Sequence, residues 1–466
     1  MPAPAFSPAP EIFKAYDIRG IVDKSLTPAA VRAIGQALGS EAVARGQKTI
    51  AIGRDGRLSG PALAAVLAEG LNLAGINVLD IGCVPTPLAY FAAYQLGTHS
   101  AVSVTGSHNP PDYNGLKMVL GGETLYGEQI QALRQRIEQG DLVKAKKPGK
   151  IKRADVREDY LQRITRDVKL ARPMKIVVDC GNGVAGELAP ELFRRMGCEV
   201  VPLYCEIDGN FPNHHPDPSK PENLRDVIRA LKETDAELGL AFDGDGDRLG
   251  VVTKDGEIIF PDRQLMLFAA DILTRNPGAQ IIYDVKCSRN VARSVRHQGG
   301  QPLMWQTGHA IIKAKLKETG APLAGEMSGH VFFKERWYGF DDGLYAGARL
   351  LEIISRWPDA NWPLKHLPDA LSTPELNIKM QEGEPHALVE RLIHNCRKHF
   401  PKALEHHCID GVRAEYADGF GLVRASNTTP VVVLRFEADS AAALKRIQTE
   451  FRQALRAAWP GIAINF

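Results

Sequence analysis

Asp243-Gly-Asp-Gly-Asp-Arg248 places three carboxylates at alternate positions with glycine between them. Carboxylates so spaced can converge on one hard cation, and oxygen ligands of this kind suit magnesium or calcium. A glycine-rich turn would account for the glycines alone. Three neighbouring like charges, however, repel unless something positive sits among them. An EF-hand needs glycine at the sixth loop position and glutamate at the twelfth. Those positions hold Arg248 and Lys254, which excludes it.

A second loop, Thr105-Gly-Ser-His-Asn-Pro110, follows the apolar run "SAVSV". A turn explains its glycine, asparagine and prolines but has no need of Ser107. There is no G-x-S-x-G elbow to support an acyl-transfer triad. Phosphoryl transfer fits better, because it needs an oxygen, a divalent ion and surrounding cations. Ser107 offers the oxygen, the aspartate loop the ion site, and Lys117 and Arg248 the positive charge. In Gly325-Glu-Met-Ser-Gly-His330, Glu326 and Ser328 lie two residues apart and face the same way on extended backbone. A carboxylate beside a hydroxyl suits the vicinal diol of a sugar, although a plain polar turn explains this loop equally well. Arg424-Ala-Ser-Asn-Thr-Thr-Pro430 combines a guanidinium, three hydroxyls, an amide and backbone N–H groups, with no acidic side chain among them. That composition suits an anion such as phosphate.

Bulk composition narrows the field. The 466 residues are too many for one core. Fifty-seven basic against 55 acidic residues leave a net charge of +2, which gives no field for nucleic acid or an anionic membrane. Seven scattered cysteines, none in C-x-x-C spacing, predict reduced thiols rather than a disulfide framework. The start, "MPAPAFSPAPEIF", has neither the basic nor the apolar region of a secretory signal.

Three regions share a rhythm of strand, glycine turn, helix and strand, beginning at "TIAIGRDG", "MKIVVDCGNG" and "AQIIYDVKCS". This is the pattern of parallel α/β units, whose ligands bind beyond the carboxyl ends of strands. If the three derive from one unit, they must share a strand order. The basic run over residues 143–159 predicts a solvated linker. From about residue 370, antiparallel-looking strands between helices predict a smaller α+β domain. The expected divisions are 1–153 with the serine loop, 154–257 with the metal loop, 258–369 with the sugar loop and 370–466 with the phosphate loop.

Together "TGSHNP", "DGDGDR", "GEMSGH" and "RASNTTP", with "KAYDIRG", "GRDGRLSG" and Thr307-Gly308-His309, resemble the α-D-phosphohexomutases, most closely the bacterial phosphomannomutase/phosphoglucomutase group. The resemblance runs in family order from about residue 11 to the C-terminus. Met327 favours this branch over the phosphoglucosamine mutases, which usually carry glutamine before the serine. The resemblance implies four domains around a central cleft. It implies a phosphoserine at Ser107, and Mg²⁺ held by Asp243, Asp245, Asp247 and a phosphoserine oxygen. Sugar hydroxyls would meet Glu326 and Ser328. The substrate phosphate would meet Arg424, Ser426, Asn427 and Thr428. Tyr16, Arg19, His108, Lys117, Arg248, Lys286, Gly308, His309 and His330 would line the cleft, with His330, assisted by Lys117 and Arg19, serving proton transfer and charge stabilisation.

The implied activity interconverts hexose 1-phosphate and hexose 6-phosphate, of mannose or glucose, through a 1,6-bisphosphohexose. Glucose 1,6-bisphosphate would be activator and intermediate. The expected setting is a cytoplasmic monomer acting on small phosphosugars, with no nucleic-acid or membrane partner, supplying precursors for polysaccharide. The alternatives are a phosphoglucosamine mutase and a non-catalytic sugar-phosphate sensor.

Overall fold

The computed structural model describes residues 7–427, 429–464 and 466. Its first three domains are built from one four-strand unit. In the first domain the strands are Thr49–Arg54, Asn77–Cys83, Ala101–Val104 and Tyr113–Leu120. In the second they are Met174–Asp179, Cys198–Leu203, Leu238–Phe242 and Leu249–Thr253. In the third they are Gln280–Asp284, Gln301–Trp305, Leu323–Gly325 and Val331–Phe333. The spatial order is fourth, third, first, second in all three sheets. The first three strands run parallel, and the fourth returns antiparallel to the third. Repetition of one unit requires this shared order.

The parallel pairs need crossovers, and helices such as Gly60–Leu73, Arg225–Glu233 and His309–Thr319 supply them. The only connection in the unit that turns straight back joins the third strand to the fourth. Its loop therefore stands at the carboxyl end of a central strand. That loop carries residues 105–112 in the first domain, 243–248 in the second and 326–330 in the third. Each bends through the left-handed region, at Ser107 (φ 49°), Gly246 (φ 75°) and Gly329 (φ 104°). For serine that conformation is uncommon and costs energy.

The sheet of the first domain is extended at both edges. Ile18–Ile21 pairs antiparallel with the fourth strand and sets Arg19 opposite Gly115. A side chain at Gly115 would meet the Ile18 carbonyl at 2.2 Å, so glycine is what admits this edge strand. At the other edge Ile151–Arg153 pairs with Asn77–Cys83. The expected linker thus ends in an exposed edge strand, and the helix Arg157–Asp167 begins within the basic run. The backbone bonds to Asn77–Cys83 account for the difference, since hydropathy alone gives no sign of an edge strand.

The C-terminal domain is a wholly antiparallel sheet with two longer helices, Glu384–His394 and Ala441–Ala458. Its hairpin of Gly419–Ala425 and Val431–Ala438 presents residues 426, 427, 429 and 430. One continuous core runs through the three α/β domains, with Phe91, Phe193, Phe268 and Trp337 among its members. The C-terminal domain has a separate core around Phe436 and Phe451. It meets the third domain through a small cluster of Val285, Phe420 and Leu422. Arg413 stacks on Phe420 there and donates to the carbonyls of Val285 and Cys287 at 2.7 and 2.6 Å.

Arg57, buried in the first domain, shapes the serine loop. Its guanidinium donates to the carbonyls of Ser107 at 2.9 Å, Asn109 at 2.6 Å and Tyr113 at 3.0 Å, and to that of Pro110. Asp55 anchors Arg57 and also accepts from Thr105 Oγ1 at 2.7 Å and Gly106 N at 3.1 Å. A Cβ at Gly106 would stand 2.4 Å from the guanidinium, so only glycine fits. Arg57→Ala leaves Asp55 buried and unpaired together with several loop carbonyls. Breaking such a buried pair costs about 3–5 kcal/mol. Denaturant unfolding should show a loss of that size, and Arg57→Lys should recover only part of it.

Candidate active site

The four hairpin loops meet at a cleft of about 1360 Å³. Its walls include Tyr16, Arg19, His108, Arg248, Lys286, Gly308, His309, Glu326, Ser328, His330, Arg424, Ser426 and Asn427. Ser107, Lys117 and the three aspartates lie beneath its floor, all buried. Thr428 lies outside the described residues.

Under the floor, Ser107 Oγ donates to Asp243 Oδ2 at 3.2 Å and lies 3.1 Å from His108 Nδ1. Asp243 Oδ1 accepts the backbone N–H groups of Asp247 and Arg248, each at 3.1 Å, which curls the loop around its first carboxylate. Lys117, from the fourth strand of the first domain, reaches across to Asp245 Oδ2 at 2.8 Å and Asp247 Oδ2 at 2.5 Å. Ligand atoms of Asp243, Asp245 and Asp247 all lie within 4.8 Å of one another. Asp245 Oδ1 and Asp247 Oδ1 are buried with no hydrogen-bond partner. Two orphaned carboxylate oxygens in one buried cluster are what a hard cation would satisfy. These residues therefore fit a magnesium ion.

Burial, reinforced by Asp247 and Asp245, pushes the Asp243 carboxyl well up. Burial acts on Asp245 in the same sense, but Lys117 outweighs it and holds that carboxyl below the usual range. Burial, with the charges of Arg248 and Arg19, holds His108 well below the usual imidazole value. His108 is thus a neutral neighbour of Ser107.

The sugar loop is braced from three sides. Glu326 Oε1 accepts Gly308 N at 3.0 Å, and Oε2 accepts Ser328 Oγ at 3.0 Å. Asp284, at the end of the third domain's first strand, accepts Met327 N at 3.2 Å and Thr307 Oγ1 at 2.7 Å. It thereby fixes the 307–309 and 326–330 turns together. Gly308 has φ 138°, and a Cβ there would meet the Tyr16 ring at 2.6 Å. Tyr16 OH donates to the Thr307 carbonyl at 2.7 Å and accepts from Asn427 Nδ2, linking the first, third and fourth domains.

The phosphate loop departs from its expected composition. Asp410 Oδ2 lies 3.0 Å from Arg424 Nε and also accepts Thr307 N at 3.1 Å. Glu375 Oε2 accepts from Lys286 Nζ at 3.3 Å. The cradle was expected to hold no acidic side chain, and locally in sequence it does not. Burying Arg424 and Lys286 in the cleft wall calls for counter-charges, and the fold brings them from other segments. Ser426 Oγ lies 3.1 Å from Thr429 Oγ1.

His330 sits between two partners. Its Nδ1 is 3.1 Å from Asp341 Oδ2, and Nε2 accepts Arg248 Nε–H at 3.0 Å. Asp341 is fully buried and is held on its other oxygen by Lys313 Nζ at 2.9 Å. His309 lies 3.9 Å from Asp341, with its ring 5.8 Å from that of His330. Arg19 bonds Asn109 Oδ1 and Asp17, next to the serine loop. The pairings of Asp341, Lys313, Asp284, Asp410, Glu375 and the Asp55–Arg57 pair were not read from the sequence. Two carried a signal: Asp55 and Arg57 stand in "GRDGRLSG", and Asp341 in the doubled "FDDG".

Four family domains match the chain in order. They are the phosphoglucomutase/phosphomannomutase alpha/beta/alpha domains I, II and III, over residues 10–144, 158–256 and 260–369, and the C-terminal domain over 375–454. The chain belongs to this family. Each match contains one of the four loops. A phosphomannomutase/phosphoglucomutase of Pseudomonas aeruginosa is 56% identical over 98% of this chain and 97% of its own length. A phosphoglucomutase of Neisseria gonorrhoeae is 56% identical over 97% of this chain and 98% of its own length. Among solved structures, a phosphoglucomutase/phosphomannomutase family protein from Burkholderia thailandensis is 60% identical, with a TM-score of 0.93 over 98% of this chain and 100% of that one. An N-acetylphosphoglucosamine mutase from Aspergillus fumigatus, solved with GlcNAc-6P and magnesium, shares the fold at 14% identity and a TM-score of 0.60, covering 97% of both chains.

In this family's cleft the Lys313–Asp341–His330 chain has an evident consequence. Because Nε2 accepts the Arg248 Nε–H, the ring proton sits on Nδ1, 3.1 Å from Asp341 Oδ2 and 3.6 Å from Asp247 Oδ1. Asp341→Asn should release that orientation while leaving the loops folded. A positioned acid–base group contributes on the order of 10²–10⁴-fold. The variant should therefore lose about 10²-fold or more in kcat at little cost in KM, with an altered pH–rate profile under steady-state kinetics.

Proposed function

We propose that this chain interconverts hexose 1-phosphates and hexose 6-phosphates of glucose and mannose, by way of a phosphoserine at Ser107 and a 1,6-bisphosphohexose. The observation that carries the proposal is Ser107 Oγ, 3.2 Å from an aspartate of the metal-fitting cluster and below a cleft whose far wall holds Arg424. A serine over a cation site accounts for phosphoryl transfer, and a remote phosphate cradle accounts for a substrate that already carries a phosphate. Relatives of 56% identity over nearly the whole chain bear both enzyme names.

In the first half-reaction the free sugar hydroxyl attacks the phosphorus of phospho-Ser107. The new O–P bond forms as the Oγ–P bond breaks; the hydroxyl proton passes to His330 Nε2 as Arg248 turns from it to the phosphoryl group, and Ser107 Oγ takes up a proton delivered by Lys117. Lys117, Arg248 and Arg19 stabilise charge around the transferring group, within a site that buries them. Asp243, Asp245, Asp247 and a phosphoserine oxygen would hold magnesium, which when bound neutralises charge on the phosphoryl group. The bisphosphate then turns over, and its other phosphate returns to Ser107 by the same chemistry in reverse. Glu326 and Ser328, already oriented by Gly308 N and by each other, engage the hydroxyls at carbons 3 and 4 in either orientation. Glucose and mannose differ at carbon 2, so a site reading carbons 3 and 4 accepts both. Arg424, Ser426 and Asn427, with Thr428, hold whichever phosphate is not reacting, and Tyr16 and Lys286 close the walls. Glucose 1,6-bisphosphate would prime the dephosphorylated enzyme.

Met327 favours glucose and mannose over glucosamine substrates. Among the described residues no helix is long and apolar enough to cross a membrane. Action in the cytoplasm as a monomer completes the proposal. The test is conversion of glucose 1-phosphate to glucose 6-phosphate with magnesium and a trace of the bisphosphate. Wild type should turn over, and also accept mannose 1-phosphate. Ser107→Ala should lose at least about 10³-fold while still binding glucose 6-phosphate, in the range lost when a nucleophile is removed. Binding without turnover in both proteins would support a sensor instead, and a preference for glucosamine 1-phosphate would support the phosphoglucosamine branch.

A further inference from the structure

Two thiols of the second domain stand together outside the reaction. Cys180 follows Met174–Asp179, and Cys205 lies just beyond Cys198–Leu203. These strands are parallel, with Asp179 opposite Leu203 and Cys180 N donating to the Leu203 carbonyl at 3.1 Å. The two sulfurs are 3.7 Å apart. Cys180 is fully buried, whereas Cys205 is half-buried and is the one that solvent can reach.

The buried partner belongs to the support of the metal loop. The Cys180 carbonyl accepts Gly183 N at 2.6 Å, and the next residue, Val184, donates its N–H to the Gly244 carbonyl at 3.1 Å. Gly183 and Gly244 touch so closely that a Cβ on Gly183 would stand 3.0 Å from Gly244 Cα. Gly244 lies between Asp243 and Asp245.

We propose that Cys205 and Cys180 are a peroxide-reactive thiol pair that closes to an intramolecular disulfide and thereby loosens the metal loop. The Cys205 thiolate attacks one oxygen of hydrogen peroxide, the O–O bond breaks, and a sulfenic acid and hydroxide result, the hydroxide taking the proton lost by Cys205. The Cys180 thiol, which Cys205 and burial hold in its protonated form, then loses its proton as it attacks the sulfenic sulfur. The S–S bond forms, the S–O bond breaks, and the leaving hydroxide combines with the proton lost by Cys180. Two electrons pass from the thiols to the peroxide, and two waters account for its oxygens. Cys205 Sγ donates to Cys180 Sγ and to the Leu203 carbonyl at 3.4 Å, and its contact with Cys180 holds the Cys205 thiol below its usual value, against the effect of burial. That favours the thiolate at the accessible member. A disulfide has sulfurs about 2.05 Å apart, so closure draws the pair together by roughly 1.7 Å. The displacement is taken up in the turn that carries Gly183 and Val184.

The test treats the full-length protein with hydrogen peroxide, maps cross-links by mass spectrometry of unreduced peptides, and measures magnesium binding by calorimetry. Magnesium binding is read without substrate, so the outcome does not depend on the proposed reaction. Wild type should acquire a Cys180–Cys205 link and bind magnesium at least threefold more weakly, with dithiothreitol restoring both. Cys205→Ser and Cys205→Ala should keep their affinity under peroxide. Cys180→Ser should stop at the sulfenic acid, and should it fail to fold, the two Cys205 variants and the mapped link decide. Absence of that link, or a link only between the neighbouring Cys396 and Cys408, overturns the pair. A mapped Cys180–Cys205 link with unchanged magnesium affinity overturns the coupling to the metal loop.

Discussion

Three carboxylates packed under the cleft floor are the constraint that organises this protein. Asp243, Asp245 and Asp247 are all fully buried, with ligand atoms within 4.8 Å of one another. At an effective dielectric constant near 20, each such like-charge pair repels by about 4 kcal/mol. The cluster lowers that cost in two ways. Lys117 lays one ammonium against two of the carboxylates, and the third is pushed up toward its neutral form. Lys117 comes from the first domain, so the charge balance of the second domain's loop is completed only when the two domains are docked. The shared apolar core of the three α/β domains keeps that docking fixed. What is left over, two carboxylate oxygens that accept no hydrogen bond, is the opening for a divalent ion.

The topology explains why four distant segments can serve one site. Each α/β unit has a single tight return, between its third and fourth strands. Each such return stands at the carboxyl end of a parallel strand, where the sheet leaves backbone groups pointing outward. Divergence of the three loops then gives three chemistries on one scaffold: a hydroxyl in the first, carboxylates in the second, and a carboxylate beside a hydroxyl in the third. The C-terminal domain has a different sheet but uses the same device, a hairpin return, for its cationic cradle.

Much of this was legible in the sequence because the chemistry is local. A run such as Asp243–Arg248 carries its ligands within six residues, and the strand rhythm around it predicts which end of the sheet it occupies. The three repeated units and the α+β tail were legible for the same reason: periodicity and glycine turns are short-range signals. What stayed hidden is the layer beneath. Asp341 braces His330 from eleven residues away, Asp410 reaches Arg424 from the turn before Val412–Tyr416, and Glu375 meets Lys286 across a domain boundary. Asp410 and Glu375 are lone acidic residues in their own neighbourhoods, and the doubled Asp341-Asp342 does not say which partner it takes. Arg57 was hidden differently: its motif was visible, but its partners are backbone carbonyls, which carry no sequence signal.

These hidden carboxylates bear on how a cleft of cations can work on a substrate that must change ends. Arg424 faces Asp410, Lys286 faces Glu375, and Arg19 faces Asp17. A phosphate entering the cleft therefore meets cations that are already paired, and its gain is the difference between two anions on the same guanidinium or ammonium. Unpaired buried cations would hold substrate, intermediate and product alike far more tightly. Such uniform binding lowers KM without speeding the chemical step. Under the proposed reaction it would also trap the bisphosphate in its first orientation. Pairing each cation in advance keeps the cradle formed while it is empty. It also leaves the grip on either phosphate weak enough to be released and taken up again by the other end of the same molecule.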